Sequence, residues 1–197
     1  MTRTNWVARA GIAGCVLLCA CSTIRSVTSS ITPASRNYAD LPVEELREVA
    51  REIERSVFEQ VTEPRLTSSG TLRVDDPRIV QSIRTRSLRY SILDAFRSRG
   101  HSWERRNGRL WIIRSSAYRD STTSQQRNRD AFLVYSENED RWRLYEAIID
   151  ANDLRNDTLQ AIEEVFFEAR LEFMGQGQLY ENSQGDPVAK QDSRSAR

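Results

Sequence analysis

The side chains best suited to covalent or metal chemistry in this 197-residue chain are three cysteines and a single histidine. Cys15, Cys19 and Cys21 all fall at the very start, beside Val16, Leu17 and Leu18. A reactive thiolate or a thiolate metal cluster needs polar, electropositive surroundings, and an apolar run supplies neither. His101 stands alone. A Ser-His-Asp triad or a histidine metal site requires further His, Cys or carboxylates at defined spacing around it, and a loop position is the default for a lone histidine after Gly100. The sequence therefore predicts no catalytic residue, no cofactor and no metal.

Cys21 has a different chemistry open to it. Arg3 and Arg9 precede an uncharged stretch over 10–20 that ends in Leu18-Cys19-Ala20-Cys21, which is the layout of a secretory signal. This segment resembles a bacterial lipoprotein signal peptide, in which the last cysteine thiol takes a diacylglycerol group and becomes the first residue of the mature chain. A membrane-spanning helix needs roughly 20 apolar residues, about twice the run present here. An ordinary signal peptide cut at a small residue is the remaining alternative, but it requires no cysteine at this position. Residues 1–20 are thus expected to be a signal peptide and Cys21 a lipidation site. In envelopes with two membranes, retention at the inner one follows chiefly from an aspartate after the cysteine. Ser22 therefore points to an outer-membrane anchor facing the periplasm.

Composition narrows the rest. With 39% hydrophobic and 29% charged residues the chain has a globular profile. A net charge of +1 argues against a nucleic-acid binder, which concentrates unopposed positive charge on one face. Arginine replaces lysine almost everywhere, Lys190 being the one lysine, which reads as a compositional bias.

The elements that must position any site are mostly helical. Residues 21–37, rich in Ser, Thr and Arg, read as a tether, and a domain follows over 38–174. A first helix opens near Asp40, with Pro42, Glu44 and Glu45 in its first turn and a stripe of Val43, Leu46, Val49, Ile53, Val57 and Val61, and Pro64 is expected to stop it. Asp75 or Asp76 caps a second helix that carries Ile79, Val80, Ile83, Tyr90, Leu93 and Phe96 to Gly100. Arg84, Arg86, Arg89, Arg97 and Arg99 are expected on its solvated faces. Asn107-Gly108 signals a tight turn before a short apolar run over 110–113, giving one short strand or hairpin at most.

A third helix, over about 126–151, aligns Ala131, Val134, Tyr135, Trp142, Tyr145, Ile148 and Ile149, with Asn138 on the same stripe. A last helix starts near Asn156 or Asp157 and carries Leu159, Ile162, Phe166, Ala169 and Phe173. Residues 175–197 are expected to be a disordered tail. The expected fold is mainly α: a small domain of about four helices with a short turn or hairpin.

Two blocks carry a resemblance. Leu93-Asp94-Ala95-Phe96-Arg97-Ser98-Arg99-Gly100 with Glu104, Asn107-Gly108 and Leu110, and Glu137-Asn138-Glu139-Asp140-Arg141 with Leu144-Tyr145-Glu146-Ala147-Ile148, resemble the YdbL-like family of small bacterial periplasmic proteins of unknown function. The similarity spans residues 78–171. It departs from the family at Trp103, where a glycine is commoner, and in the lipobox with its added N-terminal helix. No catalytic residues are assigned to that family. The resemblance implies an envelope role, some relatives occurring beside bridge-like proteins that carry phospholipid between membranes. The expected function is that of a non-enzymatic accessory or chaperone-like partner of an envelope protein. A periplasmic lipid-binding module and an envelope hydrolase are the alternatives. Glu104, Asn107, Gly108, Asn138, Arg141, Trp142 and Tyr145 form the candidate partner-binding or structural cluster.

If Cys21 carries the anchor, Cys21→Ser moves the protein from the membrane fraction to the soluble periplasm. Sedimentation of the processed variant with membranes after a high-salt wash rules the anchor out.

Overall fold

A computed structural model describes residues 41–66 and 70–191, so Cys21, the expected signal peptide and tether, and residues 192–197 lie outside the described residues. The chain order is α1 (Val43–Phe58), α2 (Pro77–Ser98), β1 (Ser102–Glu104), β2 (Leu110–Ile112), α3 (Ser116–Asp120), α4 (Ser124–Ala151), a 3-10 turn at Asn156–Thr158, α5 (Leu159–Phe173), β3 (Leu179–Glu181) and β4 (Pro187–Ala189). The fold is mainly helical with a small four-stranded sheet.

Local chemistry sets most helix ends. The Asp76 carboxylate accepts the Arg78 N–H and Pro77 opens the first turn of α2. Ser115 caps α3 and Thr123 caps α4 in the same way. The expected stop of α1 at Pro64 is corrected. The helix closes six residues earlier, where Gln60 takes the left-handed conformation (φ 57°) and the Val61 N–H donates to the Ser56 carbonyl. That closure is a Schellman motif. Asp153 (φ 50°) ends α4 likewise, with the Leu154 N–H on the Ile149 carbonyl.

The helices enclose two apolar cores. The larger takes Leu46, Ala50 and Ile53 of α1, Ile79 and Ile83 of α2, Leu144 and Ile148 of α4, and Ile162 and Phe166 of α5. The smaller joins Leu93 and Phe96 at the far end of α2 to Leu110, Tyr118 and Val134. Between the two, along α2 and α4, the inward positions are charged.

The sheet runs β2-β1-β3-β4. β1 and β2 are the hairpin that Asn107-Gly108 announces, and β3 lies parallel to β1, pairing Trp103 with Leu179. The expectation of a disordered tail is corrected here: β3 and β4 form a second hairpin, with Tyr180 opposite Val188. Each strand is three residues long, too short for a period of two to register, and the partner of β3 is far away in sequence.

The lone lysine has a structural reason. Lys190 follows β4, and its ammonium donates to the carbonyls of Leu171, Glu172 and Met174 at the end of α5. Three converging carbonyls suit a compact ammonium with three donors, whereas a planar guanidinium presents its donors in a fixed fork. Burial lowers the Lys190 pKa, and the nearby Glu172 charge partly offsets this. Lys190→Arg keeps the charge and is nevertheless expected to destabilise the fold by about 1 kcal/mol. Thermal denaturation checks this, and a variant that melts with the parent removes the cap.

Candidate functional site

Every long helix and the first strand deliver at least one charge to the layer between the cores. Glu54 comes from α1, Arg86 and Arg97 from α2, Glu104 from β1, Glu137 and Arg141 from α4, and Arg170 from α5, all under one tenth exposed. Arg86 holds both Glu54 oxygens at 3.1 and 2.8 Å and donates through Nε to Glu137 at 3.0 Å. Arg141 donates through Nε to Glu137 at 2.8 Å and forks onto Glu104 at 2.7 and 2.9 Å. Arg97 adds a third bond to Glu104 at 2.6 Å. Arg170 bridges Glu54 and the Tyr145 hydroxyl, at 3.3 and 2.8 Å. Arg89 and Asp140 close the solvent side as a pair at 2.5 Å.

Burial pushes the Glu104 carboxyl up, but the Arg141 and Arg97 guanidiniums outweigh it and hold the group well below the ordinary carboxylate range. Glu137 behaves alike, burial being overcome by Arg86, Arg141 and Arg97. Arg141 is driven the other way: burial disfavours its charge, and Glu104 and Glu137 more than restore it. Glu104, Glu137 and Arg141 are thus each held in their charged form by their partners.

The arginines expected on solvated faces of α2 therefore divide. Arg84 is half-exposed and pairs with Glu63, while Arg86 and Arg97 point inward. The α4 stripe needs the same correction. Val134, Tyr145, Ile148 and Ile149 face the core as expected, whereas Tyr135 is 61% and Trp142 36% exposed. Glu137, Asp140 and Arg141 occupy the inward positions instead.

The structure brings Glu104, Gly108, Asn138, Arg141 and Tyr145 together and leaves Asn107 and Trp142 outside. Asn138 is half-buried, and its amide treats β2 as a neighbouring strand would. Its Oδ1 accepts the Leu110 N–H at 2.8 Å and its Nδ2 donates to the Leu110 carbonyl at 3.0 Å. Gly108 adopts φ 73°, and a Cβ there would lie 3.0 Å from the Tyr145 ring, while its carbonyl accepts from Arg141 at 3.1 Å. Asn107 only braces the turn, its side chain accepting the Arg109 N–H at 3.3 Å. His101 packs at a tilt against Tyr118, ring centroids 5.1 Å apart, away from the layer. Among the described residues no group of His, Cys, Asp and Glu is placed to hold a metal ion.

Two open apolar grooves flank α4 on the surface. One, about 820 Å³, runs between α2 and α4 over Ile92, Phe132 and Leu133, with Arg89 and Arg129 at its rims. The other, about 630 Å³, lies between β2 and α4 and contains Trp111, Ile113 and Tyr135. Comparison with protein-family profiles, characterised proteins and solved structures returned no match.

Glu104 and Glu137 titrate lower when folded than their ordinary value of 4.5. As pH falls below about 4.5 the unfolded chain takes protons first, so stability is full above that pH and is lost on acidification. Glu104→Gln is expected to remove about 3–5 kcal/mol at pH 7, since Arg97, Arg141 and Arg170 stay buried without their common counter-charge. It also flattens the acid limb. Urea melts from pH 3 to pH 7 measure both; a variant as stable as the parent removes Glu104 from the centre of the layer.

Proposed function

We propose that this chain is a lipid-anchored protein of the bacterial envelope that acts without catalysis, as an accessory or chaperone-like partner of another envelope protein. A phospholipid-carrying bridge is the partner class that the YdbL-like resemblance suggests. The observation that carries the reading is the α2–α4 groove. Ile92 and Phe132 are 64% and 72% exposed along it, and Leu88, one turn before Ile92, is 67% exposed. Large apolar side chains gathered in one open surface depression mark a recognition site more often than a chance exposure. A lipid carrier needs an enclosed apolar cavity for an acyl chain. The space between α1, α2, α4 and α5 is instead filled by the packed apolar core and the charged layer beside it, which favours the accessory role over the lipid-binding module.

A photo-crosslinking residue at Phe132, in cells that express the full chain, tests this against the same probe at exposed Gln160 on α5. A discrete protein adduct at Phe132 and none at Gln160 is expected. Ile92→Asp should cut the adduct at least tenfold while leaving the melting temperature within about 2 °C, as for most surface substitutions. A phospholipid adduct at Phe132 favours the lipid-binding module, and equal labelling at both positions defeats the reading.

A further inference from the structure

The charges of the buried layer do not balance. Four guanidiniums, Arg86, Arg97, Arg141 and Arg170, face three carboxylates, Glu54, Glu104 and Glu137. Arg89 and Asp140 cancel each other. Two further carboxylates approach without closing the deficit. Asp94, half-buried, accepts the Gln178 amide at 2.7 Å and forms no ion pair among the described residues. Glu163 stands half-buried near Arg170, and burial favours its neutral form. An uncompensated positive charge among buried groups is strongly destabilising.

Arg97 and Arg170 both carry unpartnered donors: Arg97 Nε, Arg170 Nε and Arg170 Nη2 are buried and have no hydrogen-bond partner among the described residues. Every one is a donor. Both arginines line a pocket of about 20 Å³ with Glu54, Arg86 and Glu137, and Phe58, Tyr90, Phe173 and Met174 complete its lining. That volume matches one water-sized or halide-sized species. A water would satisfy donors and leave the charge; a monoatomic anion answers both.

We propose that Arg97 and Arg170 hold a single buried halide, chloride in ordinary media, in the pocket between α1, α2 and α5. The anion then completes the alternation of charge and binds the folded state alone. Folding stability therefore rises with chloride.

The test measures the melting temperature of the full chain in sodium chloride and in sodium gluconate at matched ionic strength, gluconate being too large for the pocket. Above the dissociation constant a rise of roughly 3–5 °C per tenfold increase in chloride is expected, with none specific to gluconate. Arg97→Gln, at the rim, should abolish the difference between the two salts. Should that variant not fold, the wild-type chain crystallised in sodium bromide decides: an anomalous peak within 3.5 Å of the Arg97 and Arg170 guanidiniums is expected at an anion site. Superimposable chloride and gluconate curves, or a bromide map without a peak there, overturn the proposal.

Discussion

Glu104 is the point on which the two parts of this fold meet. It lies on a three-residue strand that cannot hold itself in place, in a sheet whose other strands are equally short. One carboxylate accepts from α2 through Arg97 and from α4 through Arg141, and lies 3.4 Å from Arg170 of α5. Apolar contact alone fixes a strand loosely against a helix, because Leu and Val surfaces slide. A planar fork on a carboxylate fixes distance and angle together. The sheet is therefore docked by charge, and a small error in its position would strand three buried guanidiniums.

The hairpin turn belongs to the same device. Arg141 reaches past Glu104 to the Gly108 carbonyl, and Asn138, three residues earlier on α4, occupies both polar groups of Leu110. Those groups point away from β1, where an edge strand is open to wrong partners, so the Asn138 amide both docks the hairpin and closes part of that edge. Tyr145 packs beneath Gly108 and accepts from Arg170. A side chain at position 108 would press on this ring and also face a left-handed backbone. Turn, sheet and bundle thus share one set of contacts, reaching both cores.

The helices that bury ordinary apolar stripes, α1 and α5, were legible in the sequence because Leu46, Val49, Ile53 and Val57, and Ile162, Phe166 and Ala169, recur at helical spacing. On α2 and α4 the same periodicity continues, but with arginine and glutamate in it. Ile79, Ile83, Arg86, Tyr90, Leu93 and Arg97 keep alternating steps of three and four, and that continuity was the signal that Arg86 and Arg97 face inward. Hydropathy sends such residues to the surface, and only partners on three other elements reverse the assignment. The sheet carried less signal still. Its β1–β3 pairing is non-local, and three-residue strands leave no pattern to read. Lys190 stood out only as an exception to the arginine bias, and its meaning required the three carbonyls it meets.

The middle of α2 and α4 is inverted relative to an amphipathic helix. Arg86, Glu137 and Arg141 are inside, while Leu88, Ile92, Phe132 and Tyr135 are outside. Stability alone does not select this arrangement. A buried ionic layer at best breaks even against apolar residues of the same volume, and the exposed apolar residues forgo the burial that would stabilise them. Both halves of the exchange cost stability, so each must serve something else. The interior half specifies one register of four helices and a sheet, which a uniformly apolar seam between α2 and α4 would leave free to slip. The exterior half leaves Ile92 and Phe132 fixed on that rigid seam, in an open groove that no other part of the described chain fills.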